Sequence, residues 1–133
     1  GGDWNVTLDN LTVNQGMHSL AQLKNVEKGL KIVDCKVYSK NGVNVNNSCS
    51  MEMEGCTFDV KGYAVRFGAD NPVYDETFTI KNSTLKSACA DAGDAVIEFR
   101  GGAVSSTLTL INTTITGTTE MKGNTSATII NKQ

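Results

Sequence analysis

The chain carries one proline, Pro72, one histidine, His18, one tryptophan, Trp4, and two arginines, Arg66 and Arg100. Each shortage closes off a class of protein. With two arginines and a formal charge of −2, there is no basic stripe for phosphate backbones, so nucleic acid is not an expected partner. One histidine, without a nearby nucleophile and orienting acid, supplies no triad, and His18 reads as a surface or loop residue. No apolar run approaches the roughly 20 residues that a membrane-spanning helix requires, so membrane insertion is not expected either. The cysteines Cys35, Cys49, Cys56 and Cys89 form no CxxC pair and lack a clustered histidine, which argues against zinc. Neither a metal nor another cofactor is expected.

What the chain has in plenty is Asn, Thr and Gly, beside a hydrophobic content of 39%. Thr suits a pleated surface, while Asn and Gly tolerate left-handed backbone, so the mix favours strands separated by tight turns and little helix. A length of 133 residues is that of one domain, 1–133, with a single continuous core. The opening GGDW reads either as a mature terminus or, the preferred reading, as a cut made in a longer chain.

Five segments share one register: VTLDNLTV from Val6, LKIVDCKV from Leu30, MEMEGCTF from Met51, FTIKNSTL from Phe78 and LTLINTTI from Leu108. Each sets apolar residues at its first, third and eighth positions. The third positions, Leu8, Ile32, Met53, Ile80 and Leu110, are 24, 21, 27 and 30 residues apart. A repeat of constant pattern and variable spacing implies a fixed scaffold with loops of changing length. The fifth position is Asn10, Asp34, Gly55, Asn82 or Asn112, all residues that enter left-handed backbone at low cost. One such residue between two short strands turns the chain and inverts the alternation, so the sixth and eighth residues point to the same interior as the first and third. Stacked asparagines at these corners can hydrogen-bond from one coil to the next.

A shorter strand recurs in the returns, GVNV from Gly42, YAVRF from Tyr63 and AVIEF from Ala95, and ATII from Ala127 is read as a further member. The corresponding stretch of the first coil, MHSLAQLKN, gives no firm alignment. Lys31 beside Glu52 and Arg66 beside Glu98 are expected as cross-rung ion pairs. Cys35 and Cys56 fall at the inward sixth position of consecutive coils and read as stacked small core residues.

With these columns the chain, from about Val6 to Asn131, resembles the right-handed parallel β-helix of the pectin-lyase-like superfamily. It is also similar to domains of unknown function in surface proteins of gut bacteria. The implied fold class is all-β, a single-stranded right-handed parallel β-helix of about five coils. The implied ends would need caps, which remaining coils of a parent chain or end-to-end self-association would supply.

The resemblance also implies what to search for. Lyases of that superfamily hold Ca²⁺ on clustered acids with an Arg or Lys nearby as base, and its hydrolases group aspartates for acid and base work. Here Asp91 and Asp94 share one return, Asp70, Asp75 and Glu76 share the one before, and Arg66 and Arg100 are close along the chain. None of these acids lies on a strand column, and the hydrolase-like NTD and GHG motifs are absent, so a solvated acidic loop is the preferred reading and no catalytic residue is assigned. Glycan contact without catalysis would use exposed rings. Of Trp4, Tyr38, Tyr63 and Tyr74, only Tyr38 and Tyr74 are expected at the surface. Candidate ligand residues are therefore Tyr38, Tyr74, Asp91, Asp94, Arg66 and Arg100. The expectation is a non-catalytic, extracellular or cell-surface module that contacts polysaccharide or serves adhesion. The alternatives are a piece of a polysaccharide lyase or glycoside hydrolase, and a structural stalk.

Overall fold

A computed structural model describes residues 6–14, 21–24, 29–46, 50–67, 77–99, 106–123 and 128–132. All regular structure in these residues is strand, arranged in three parallel sheets. The first sheet holds β1 (Val6–Asp9), β4 (Leu30–Val33), β7 (Met51–Glu54), β10 (Thr77–Lys81), β13 (Thr107–Ile111) and β16 (Thr128–Lys132). The second holds β2 (Thr12–Val13), β5 (Lys36–Val37), β8 (Thr57–Val60), β11 (Thr84–Ser87) and β14 (Thr114–Thr116). The third holds β3 (Ala21–Lys24), β6 (Val43–Asn46), β9 (Val65–Phe67), β12 (Ile97–Phe99) and β15 (Met121–Gly123). Strand numbers rise by three along every sheet, so each lap lays one strand on each face. That is a parallel β-solenoid.

Like positions of successive laps are in register. Val6, Leu30, Met51, Phe78 and Leu108 lie opposite one another, as do Leu8, Ile32, Met53, Ile80 and Leu110. Strict alternation makes this possible, because a period of two sends every second side chain inward. The core fills the inside of the coil, where Phe58, Phe67 and Phe78 are fully buried. Phe67 of the third sheet stacks on Phe78 of the first at 4.0 Å between ring centres and tilts against Phe99 at 5.9 Å. The inward column thins at the sheet edges. Val6 is 37% exposed and Leu8 and Val13 are only partly buried, at β1 and β2, the edge strands of their sheets among the described residues.

The five fifth-position residues all have positive φ, from 46° at Asn112 to 67° at Gly55. Each corner is bonded to the next. The backbone N–H of Asn10, Asp34, Gly55, Asn82 and Asn112 donates to the carbonyl of the fourth residue one lap on, at 2.9–3.1 Å. The Asn112 side-chain amide donates to Asn82 Oδ1 at 2.9 Å. At Gly55 an added Cβ would stand 2.4 Å from Asp34 Oδ1, so left-handed backbone and the room its neighbour needs both call for glycine there.

The sixth residue completes the corner in a way the residue pattern does not reveal. Its N–H belongs to neither sheet, and a side chain of the following lap takes it up: Cys35 N–H donates to Cys56 Sγ at 3.5 Å, and Cys56 N–H to Ser83 Oγ at 3.1 Å. The same two side chains donate in turn to the carbonyl two residues back, Cys56 to Glu54 at 3.4 Å and Ser83 to Lys81 at 2.8 Å, and Thr113 likewise donates to Ile111 at 2.9 Å. Cys35 and Cys56 are buried and free, as small core residues, and they are also hydrogen-bonding groups. Burial pushes the Cys56 thiol up to about 11, which keeps it protonated and able to donate.

Three expectations are corrected or completed. ATII does not join the return strands: β16, Thr128–Lys132, pairs with β13 and puts Ile129 opposite Leu108 in the first sheet. The return strand of that lap is β15, Met121–Gly123, whose three residues carry too little alternation to be seen in the sequence. In MHSLAQLKN the strand is Ala21–Lys24, with Ala21 opposite Val43. Lys31 stands opposite Glu52, but Glu52 pairs instead with Lys81 at 3.1 Å. Lys81 lies one strand away and two residues along, a diagonal distance that a four-carbon stem spans.

Candidate functional site

The corner between the second and third sheets is built differently from the first. Ser39 Oγ donates to the Asn41 carbonyl at 2.6 Å, and Asn41 Oδ1 accepts the N–H of Tyr63 at 3.1 Å. The Lys40 carbonyl accepts the N–H groups of both Lys61 and Gly62, at 3.1 and 2.8 Å. A Cβ on Gly62 would stand 2.2 Å from Asn41 Oδ1, so this glycine gives the asparagine side chain its place. One lap on, Ser87 Oγ donates to the Gly62 carbonyl and accepts the N–H of Cys89 at 2.9 Å. Side chains thus satisfy backbone groups that no sheet ladder reaches, and the corner is held firmly.

An open groove of about 1190 Å³ runs along this corner, with Asn14 from the first lap at one end and Asp91 and Asp94 from the fourth at the other. It crosses the strands. At a spacing of about 4.8 Å per lap, its floor extends roughly 14 Å along the solenoid axis. Tyr38, 38% exposed, borders it, and Tyr63, 4% exposed, forms part of its wall. The Arg66 guanidinium lies over the Tyr63 ring at 4.0 Å.

Arg66 belongs to a row that parallel register creates across the third sheet: Asn44, Arg66, Glu98 and Lys122 lie opposite one another in β6, β9, β12 and β15. Arg66 Nε and Nη2 both donate to Glu98 Oε1, at 3.0 and 2.8 Å, and Lys122 Nζ is 3.8 Å from Glu98 Oε2. The cross-rung pair expected from the sequence is present, and Glu98 is buried beneath it. Stacking on Tyr63 and a shared acceptor on Glu98 fix the plane of the guanidinium, which is how arginine loses least freedom per hydrogen bond.

Of the candidate ligand residues, Tyr38, Arg66, Asp91 and Asp94 all border this groove. Tyr74 and Arg100 lie outside the described residues, as do His18, Cys49, Trp4, Asp70, Asp75 and Glu76. Asp91 and Asp94 belong to a turn in which each bonds the other: Asp91 N–H donates to Asp94 Oδ2 at 2.9 Å and Asp94 N–H to the Asp91 carbonyl at 3.1 Å. One Asp94 carboxylate oxygen is therefore spent on shaping the turn. Among the described residues no three His, Cys, Asp or Glu side chains converge as a metal site would need.

The sequence reading did not bring out Asn41, Asn44, Asp59 and Tyr63 as groove residues. The signal for Asp59 was present, since it follows an inward Phe58 and must point outward beside the corner. Asn41 gives no such signal, because its role depends on which residue of the next lap it meets. Neither the family models, the curated proteins nor the solved structures searched yield a match to this chain.

Proposed function

We propose that the chain is a non-catalytic, extracellular or cell-surface module that contacts polysaccharide along the groove at the corner of the second and third sheets. The single observation that carries this reading is the groove's form. It is open, runs along the axis for several laps, and sets an exposed ring, Tyr38, beside a wall made of Tyr63 and the fixed Arg66 plane. A rigid amphipathic ring offers contact area at small entropic cost, and the side chains around it, Asn14, Asn44 and Asp59 among them, are hydrogen-bonding groups suited to hydroxyls. An extended polymer matches an extended groove better than a compact ligand does. The resemblance to the pectin-lyase-like superfamily agrees with a carbohydrate partner and supplies the competing reading, polysaccharide cleavage. The mutual bonding of Asp91 and Asp94 favours a structural turn over an acid and base pair.

The test is retention on a polysaccharide panel, with new reducing ends and unsaturated products assayed in the same samples. Retention without either product is expected, and Tyr38→Ala should weaken it roughly three- to tenfold, the worth of one aromatic contact. Cleavage products would establish the enzymatic reading in its place. Retention unchanged in Tyr38→Ala would remove the groove from the account.

A further inference from the structure

We propose that the polymer taken by this groove is an uncharged glycan, an inference that stands on the reading of the groove as a glycan contact. The charged side chains along it are Lys40, Lys61 and Arg66 against Asp59, Asp91 and Asp94. Arg66 has its charge matched by Glu98, to which two of its nitrogens donate. What it offers a ligand is a planar face and its remaining N–H groups. Asp94 accepts the N–H of Asp91. That hydrogen bond from a neutral amide leaves the Asp94 charge in place, so the charges without an ion partner among the described residues are Lys40 and Lys61 against Asp59, Asp91 and Asp94, two positive and three negative.

A groove with this small negative excess has no field with which to draw in a polyanion, and screening within about 8 Å at physiological ionic strength leaves no long-range attraction for a charged polymer of either sign. A uronate polymer would also bring a carboxylate on every sugar past Asp59 and Asp91. Those that met no lysine would lose water without a cation in exchange. A neutral sugar fits on both counts. Carboxylates only accept hydrogen bonds and ammonium groups only donate them, whereas a hydroxyl does both, so one ring can donate to Asp59 or Asp91 and accept from Lys40 or Lys61. Adjacent hydroxyls can share the two oxygens of one carboxylate.

The experiment is affinity electrophoresis of the chain in gels containing hydroxyethyl cellulose or galactomannan, and in gels containing polygalacturonate or alginate, each at about 20 and about 300 mM NaCl. Retardation by at least one neutral polymer is expected, equal at both salt concentrations, with no retardation by the uronates. Asp91→Lys, an exposed turn position whose effect on folding is followed by circular dichroism, should add retardation by polygalacturonate that disappears at the higher salt. Retardation of the unmutated chain by uronates alone would overturn the uncharged class and leave glycan contact standing. Retardation by none of the four polymers would overturn glycan contact itself.

Discussion

Ser83 shows why one residue can matter at a corner where the chain turns through left-handed backbone. Asn82 before it bears the positive φ, and Ser83 then receives the N–H of Cys56 and donates to the Lys81 carbonyl. The column Cys35, Cys56, Ser83, Thr113 shares one requirement, a small side chain that donates to the carbonyl two residues back, and Cys56 and Ser83 also accept an N–H from the lap before, which is why cysteine, serine and threonine succeed one another there. Ser83→Ala keeps the volume and leaves the buried Cys56 N–H without an acceptor. It should cost about 1–3 kcal/mol in urea unfolding, the penalty of one unsatisfied buried group. Ser83→Cys repeats what the two earlier laps already hold and should cost less than about 1 kcal/mol. Equal losses in the two variants would show that accepting the Cys56 N–H contributes nothing to stability. The corner residues were legible in the sequence because left-handed backbone selects Asn, Asp and Gly. The hydrogen bonds of the sixth position were not, since a small polar residue facing a core looks the same whether it bonds a neighbour or merely fills space.

At the scale of the element, strands are short and gain their stability from neighbours one lap away. The third sheet carries the clearest case, where β9 and β12 place Arg66 opposite Glu98. Two of the three ion pairs among the described residues converge on Glu98, a carboxylate with 9% of its side chain exposed, whereas Lys81 and Glu52 on the first sheet are 34% and 24% exposed. Arg66→Ala strands a largely buried acid with only the longer Lys122 contact. Its cost should be about 2 kcal/mol, against less than about 1 kcal/mol for Lys81→Ala in the same unfolding measurement. Comparable losses would mean that water reaches Glu98 freely. The strands of the first two sheets, β16 apart, could be read from the alternation because a constant eight-residue pattern spans both. Those of the third follow returns of unequal length, and the two of that sheet that escaped reading, Ala21–Lys24 and Met121–Gly123, are also the least regular in pattern.

For the whole molecule, register does what no single segment can. It stacks phenylalanines inside the coil and, outside, gathers Tyr38, Tyr63, Arg66, Asp91 and Asp94 from three different laps along one groove. Four of the six candidate ligand residues border that groove. Their convergence was not readable from the chain, because it depends on how far each return carries the next lap. The account as a whole rests on parallel laps joined at left-handed corners, and the most direct test is a proton–proton contact map in solution by isotope-edited NMR. It should link Ile32 with Met53, Met53 with Ile80, and Ile80 with Leu110, all in the same chain direction, with the Asn112 side-chain amide in contact with Asn82. Contacts running in opposite directions along paired strands, or negative φ at Asn82 and Asn112, would contradict it.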